Sequence, residues 1–269
     1  MRYDAGEIIT AMITPFKKDL SVDFEALEKL VNHLIATGTD AILVAGTTGE
    51  TPTLTHEEER EIFKFVKKVV DGRVKIIIGA GSNSTATAVE SSIKAKELGA
   101  DAILSVVPYY NKPSQQGLKE HFGAIAKAVD IPIILYNIPG RTGIDMAPST
   151  IAFLAKEYDN IIGVKQSNGN LDLISEIKML CPDDFAIYSG DDSLTLPMLS
   201  LGAHGVVSVA SHVVGSEIKS MIHNFKAGQV AAAMNMHKIQ KRQLCPRREQ
   251  QCHQRCGNTD GIKILPEKL

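Results

Sequence analysis

Eight short runs rich in β-branched residues recur along the chain, with helix-like stretches between them. They begin near Ile8 (IITAMIT), Ala41 (AILVAG), Lys75 (KIIIGAG), Ala102 (AILSVVP), Ile131 (IPIILYN), Ile161 (IIGVK), Phe185 (FAIYSG) and Gly205 (GVVSVA). Their spacing is roughly 20–35 residues, as βα units require. Between them, Phe24–Ala36 sets Leu27, Leu30, Val31 and Leu34 on one helical face. Thr55 followed by Glu58 reads as a capping box that opens the next helix. Near-continuous apolar strands alternating with amphipathic helices imply a parallel sheet covered on both sides. Eight such units imply a closed (β/α)8 TIM barrel. A doubly wound open sheet is the competing architecture. It would be marked by GxGxxG after the first strand, which here ends in ITPF. The nearest match, GAGSNS after the third strand, lacks the third glycine.

The 269 residues fit one barrel domain, and 44% apolar content is enough for a large core. A net charge of −2 gives no reason to expect nucleic acid or an anionic membrane surface as partner. No apolar run approaches the ~20 residues that span a bilayer, and MRYDAGEIIT has no signal-peptide core. A cytoplasmic location is expected. Cys181 stands alone while Cys245, Cys252 and Cys256 crowd the end, and no disulfide framework is expected in a reducing compartment.

In a barrel of this kind, function gathers at the C-terminal ends of the strands. Those ends read GTTGE from Gly46, PYYN from Pro108, YNIPGR from Tyr136, then Lys165, then SGDD from Ser189. Lys165 closes the run Ile161-Ile162-Gly163-Val164. A buried ammonium is costly. The lysine either snorkels to water or is a reactive amine whose desolvation favours the neutral form. Such an amine condenses with a ketone to form a Schiff base, and the iminium acts as an electron sink. GTTGE offers amides and two hydroxyls, suited to an anion or serving simply as a βα turn. Glu50-Thr51 where a phosphate loop carries Lys-Ser/Thr points to a carboxylate. Tyr109, Tyr110 and Tyr136 could relay protons. The competing reading makes Tyr109 and Tyr110 core or interface aromatics, and at least one of the pair is expected to be so, since adjacent strand residues face opposite ways. Arg141 offers a fork for a second carboxylate, or is a solvated loop residue.

Together GTTGETPTLTHEE, PYYNKPSQQGL, YNIPGRTG, GVKQSNGNL and YSGDD resemble the dihydrodipicolinate synthase family of pyruvate-dependent class I aldolases, in order from about Ile8 to about Lys238. The resemblance implies a (β/α)8 barrel that condenses pyruvate with L-aspartate 4-semialdehyde to 4-hydroxy-tetrahydrodipicolinate, on the route to diaminopimelate and lysine. It implies Lys165 as the Schiff-base residue, with Thr47, Tyr136 and Tyr110 as a proton relay and Tyr110 supplied by a neighbouring subunit. Thr48 would hold the pyruvate carboxylate and Arg141 that of the aldehyde. Gly190 and Val207 would line the pocket. A homotetramer, a dimer of dimers, is implied, and neither metal nor organic cofactor. A cleft that binds the end product lysine in some members maps onto His56, Asn83, Thr87 and Tyr109, with Thr87 where those members have glutamate.

N-acetylneuraminate lyases and keto-deoxy-sugar-acid aldolases resemble the chain too. Arg141 and GTTGE, where sialic-acid lyases usually read GSTGE, favour the synthase. The expected organisation is a catalytic barrel over 1–225 and a C-terminal segment over 226–269. That segment is expected to be helical at first and unlike the family after about 239, hence atypical or truncated. Cys245, Cys252, His253 and Cys256 fit no standard zinc spacing. The altered terminus keeps open a reading of another class, a folded but inactive relative.

Overall fold

The computed structural model describes residues 4–244. Eight parallel strands close into a barrel in chain order: β1 Ile8–Ala11, β2 Ala41–Val44, β3 Lys75–Gly79, β4 Ala102–Val106, β5 Ile133–Asn137, β6 Ile161–Gln166, β7 Ala186–Ser189 and β8 Gly205–Ser208, with β8 pairing back onto β1. The open-sheet alternative is thereby excluded. Ten helices surround the strands among the described residues: α1 Phe24–Ala36, α2 His56–Val70, α3 Thr85–Leu98, α4 Gln115–Ala128, the single turn α5 Pro139–Thr142, α6 Pro148–Glu157, α7 Leu171–Leu180, α8 Thr195–Ser200, α9 Ser211–Lys226 and α10 Val230–Leu244.

The strands are apolar on both faces because both faces are covered. Ile9, Ala11, Ala41, Leu43, Ile77, Ala102, Leu104, Ile134, Ile162, Tyr188 and Val207 form the barrel interior, where three alanines leave room for the larger side chains. Ile42, Val44, Ile76, Ile103, Ile133, Leu135, Ile161, Val164 and Ile187 face the helices instead. The expected face of α1 is buried at Leu27, Leu30, Val31 and Leu34, and Asp23 caps its first turn at Ala26 N, 3.0 Å. The expected capping box at Thr55 and Glu58 opens α2, with both reciprocal bonds present.

The N-terminal end of the barrel is held by one carboxylate. Asp40 accepts from the amides of Glu7 and Ile8, each at 2.9 Å, and takes both oxygens to Lys219 of α9 at 2.8 Å. This joins β1, β2 and α9 on the face opposite the functional rim. The glycines of GAGSNS have a packing reason. A Cβ on Gly79 would stand 2.2 Å from the Ala45 carbonyl oxygen, and one on Gly81 would stand 2.3 Å from the Val106 amide nitrogen. Two strand starts move inward: β5 begins at Ile133, after Pro132, and β7 at Ala186. The grouping of Cys245, Cys252, His253 and Cys256 lies outside the described residues, as does the chain from 245 onward.

Candidate active site

Lys165 is 8% exposed, and its Nζ lies 4.1 Å from the centre of the Tyr136 ring. The snorkelling alternative does not hold. How β6 turns this residue inward follows from register. Ile161 and Val164 both face the helices, and Ile162 faces the interior. Strict alternation from Ile161 would send Lys165 outward with it. A register shift intervenes: Ile133 pairs with Ile161, but Ile134 pairs with Gly163. One extra residue is absorbed there, and the parity of the strand reverses. Lys165 is left in register with Tyr136 on β5 and Tyr188 on β7, both directed to the interior cluster. Gly163 permits this closeness, since a Cβ there would stand 2.5 Å from the Ala186 carbonyl oxygen.

The end of β7 packs against the lysine stem. A Cβ on Gly190 would stand 1.8 Å from Ser167 Oγ and 3.1 Å from Lys165 Cε. Among the described residues, Ser167 Oγ is buried without a hydrogen-bond partner. Ser167 therefore belongs to the lysine's surroundings, although sequence reasoning passed over it. Its signal was its place two residues beyond Lys165. Val207 is 1% exposed inside the barrel. Desolvation raises the Asp191 carboxyl above its ordinary pKa, the Lys165 charge opposes the rise, and Asp192 adds to it. The lysine's field thus reaches the loop after β7. Asp192 turns the other way and accepts from the amides of Val209 and Ala210 at 3.1 and 3.0 Å.

After β2, Thr47–Gly49 form one 3-10 turn, with Thr47 exposed and Thr48 half-buried. Gly49 N bonds Gly46 O and Glu50 N bonds Thr47 O, so the turn consumes those two amides. The first N–H groups of such a turn are the ones left for an anion. Thr14 Oγ1 fixes the turn by donating to Gly49 O at 2.7 Å. Arg141 sits exposed on α5, a turn begun by Pro139 and ended by left-handed Gly143.

The strand placement of Tyr109 and Tyr110 requires a correction. β4 ends at Val106, so strand alternation does not govern them. Both are exposed, at 41% and 88%, and neither enters the core. Tyr110 and Lys112 have left-handed backbone, φ 73° and 44°. Asn111 Nδ2 donates to Asn83 O at 3.0 Å, tying this loop to the one before α3. His56 begins α2, and Thr87 lies in the first turn of α3 with its hydroxyl on Ser84. Glu90, one turn beyond Thr87, is held below its ordinary pKa first by the hydrogen bond and charge of Lys94 and further by His56. The four cleft candidates thus share the loops after β2, β3 and β4. Among the described residues, no group of three or more His, Cys, Asp or Glu is arranged to hold a metal, and no helix is long and apolar enough to cross a membrane.

The sequence profile of the Dihydrodipicolinate synthetase family matches residues 4–255. A protein of Thermosynechococcus vestitus called 4-hydroxy-tetrahydrodipicolinate synthase is 54% identical over 87% of this chain and 79% of its own length. One of Oceanobacillus iheyensis with the same name is 50% identical over 86% and 78%. The crystal structure of the Cyanidioschyzon merolae enzyme with lysine bound superposes with a TM-score of 0.85 at 52% identity, covering 87% of this chain and 80% of that one.

Proposed function

The chain belongs to the dihydrodipicolinate synthetase family, and we propose that it is a 4-hydroxy-tetrahydrodipicolinate synthase that joins pyruvate to L-aspartate 4-semialdehyde through a Schiff base on Lys165. The observation that carries this is the bulged β6, which brings a nearly buried amine to the barrel mouth beside Tyr136. A neutral lysine amine attacks the pyruvate ketone and water leaves, giving an iminium. Loss of a methyl proton gives the enamine, with the electron pair drawn toward the iminium nitrogen. The enamine carbon attacks the aldehyde, whose oxygen takes a proton. The substrate's own amine then attacks the iminium carbon, the ring closes, and Lys165 is released.

In this reading Tyr136 passes protons at the lysine, Thr47 links it onward, and Tyr110 completes the relay from a second copy of the chain. The exposure of Tyr110 supports that origin, because the described residues of its own chain do not enclose it. Thr48 and the adjacent amides hold the pyruvate carboxylate, Arg141 holds the carboxylate of the aldehyde, and Gly190 and Val207 shape the pocket. We place the enzyme in the cytoplasm as a homotetramer. The names of the relatives favour the synthase over the sugar-acid lyases and over an inactive protein.

Incubation with pyruvate followed by borohydride tests the chemistry. A pyruvate-sized covalent adduct is expected on the wild type and none on Lys165→Ala. An adduct that survives Lys165→Ala, or none on the wild type, defeats the proposal. Sedimentation at working concentration tests the assembly, and an active monomer rules out the shared Tyr110.

A further inference from the structure

Behind the rim, one carboxylate joins the two loops on which the proposed reaction depends. Asn137 ends β5, directly after Tyr136, and its side chain is fully buried. Its Nδ2 donates to Asp145 Oδ1 at 2.6 Å, and its Oδ1 accepts from Met146 N at 3.1 Å. The segment carrying Arg141 is thereby closed into a loop with both ends on one amide. The second oxygen of Asp145 accepts from Asn168 Nδ2 at 2.6 Å. Asn168 stands three residues beyond Lys165, and Ser167 N between them bonds Asn137 O at 2.9 Å. From outside, Gln115 at the start of α4 donates to Asp145 O at 2.9 Å and accepts from Ala147 N and Thr150 Oγ1 at 3.0 and 2.7 Å.

We propose that Asp145 is a positioning residue: its two oxygens, one on Asn137 and one on Asn168, set the distance between Arg141 and Lys165, and so set where the carboxylate of the second substrate lies relative to the enamine. The role rests on the synthase reading of Lys165 and Arg141. The chemistry of the clasp is specific. Both partners present N–H2 groups, so the centre must supply two acceptors. A carboxylate does this and an amide does not. Lys165 itself is aimed by the β6 bulge and the barrel wall, so loosening the clasp leaves pyruvate capture intact. The consequence falls on the aldehyde, whose carboxylate is gripped from the loosened loop.

The test is Asp145→Asn, measured by pyruvate trapping with borohydride and by steady-state kinetics with aspartate 4-semialdehyde. One acceptor then becomes a donor facing a donor. The expected result is trapping at the wild-type rate, KM for pyruvate within about twofold, and a KM for the aldehyde raised ~10-fold or more. The exchange Asp145→Asn with Asn168→Asp restores every bond. The amide now at position 145 accepts from Asn137 and donates to the carboxylate now at position 168. That carboxylate still accepts from Asn170 N, the bond that Asn168 makes at 3.0 Å. The aldehyde KM of the exchange variant is expected within about threefold of wild type. If Asp145→Asn does not fold, Asn168→Ala cuts one arm from the exposed side and should give the same split. The inference is overturned by an unchanged aldehyde KM in Asp145→Asn, by losses that fall equally on trapping and on aldehyde KM, or by an exchange no better than the single variant. Failure of the wild type to trap pyruvate defeats the synthase reading, and the clasp with it.

Discussion

Gly190→Ala places one methyl group against the proposed nucleophile. The new Cβ stands 1.8 Å from Ser167 Oγ, 3.0 Å from Ser167 Cβ and 3.1 Å from Lys165 Cε. Carbon atoms in favourable contact lie about 3.5–4.0 Å apart, so two of these contacts are short by several tenths of an ångström. The hydroxyl can rotate away. Ser167 Cβ is set by backbone, and Lys165 Cε is set by the position of Nζ over Tyr136. Overpacking of this size costs about 1–3 kcal/mol. Carried by the lysine in its approach to a ketone, it slows Schiff-base formation by roughly 5- to 150-fold. The assay is the rate of borohydride-trapped pyruvate adduct, with thermal unfolding recorded alongside. Ser167→Gly added to Gly190→Ala removes two of the three contacts. The double variant should recover about 1 kcal/mol or more beyond additivity. A Gly190→Ala variant that traps pyruvate at the wild-type rate, or a double variant no faster than the single, refutes the reasoning.

Three other outcomes follow from named residues. Arg141→Ala should lower kcat/KM for aspartate 4-semialdehyde by about 1.5–3 kcal/mol, the worth of a charge-assisted hydrogen bond, and N-acetylmannosamine should be a poor substrate throughout; equal rates on the two aldehydes contradict the synthase reading. L-lysine at millimolar concentration should leave turnover unchanged, because Thr87 carries no carboxylate for the ligand's ammonium and the acids Glu59 and Glu90 are engaged by His56 and Lys94. Thr87→Glu should bring inhibition in, and strong inhibition of the wild type below a millimolar defeats the argument. Burial lowers the His121 pKa to about 4 from an ordinary 6.5. The unfolded chain therefore binds its proton first on acidification. The stability it protects is complete above about pH 6.5 and falls by ~1–2 kcal/mol between pH 7 and pH 5. Urea midpoints across that range should fall less steeply for His121→Gln than for the wild type, and parallel slopes refute the assignment.

The barrel was legible because a strand buried on both faces cannot avoid a continuous apolar run, and eight such runs admit few closures. The α1 face and the α2 capping box were legible for the same reason: the information is local. That Tyr109 and Tyr110 lie beyond the strand was not legible, because the end of β4 is not local. The chain leaves the sheet at Val106, and only the neighbouring strands determine where pairing stops. The clasp of Asn137, Asp145 and Asn168 was invisible on similar grounds. Asn and Asp are ordinary in loops, and nothing in their sequence positions states that the two loops meet.

Lys165 joins the two kinds of information. Its residue type and its place at a strand end mark it as unusual, yet period-two alternation from Ile161 points it the wrong way. The one-residue shift against β5 corrects this, and its only trace in the chain is a glycine inside an otherwise β-branched run. The bulge ties reactivity to packing. Without the shift against β5, alternation would turn Val164 inward and Lys165 into the helix layer. An ammonium there lacks both water and the tyrosine ring, so the misregistered barrel is disfavoured by the cost of a buried charge. The residue that performs the proposed chemistry thereby also selects the register that presents it.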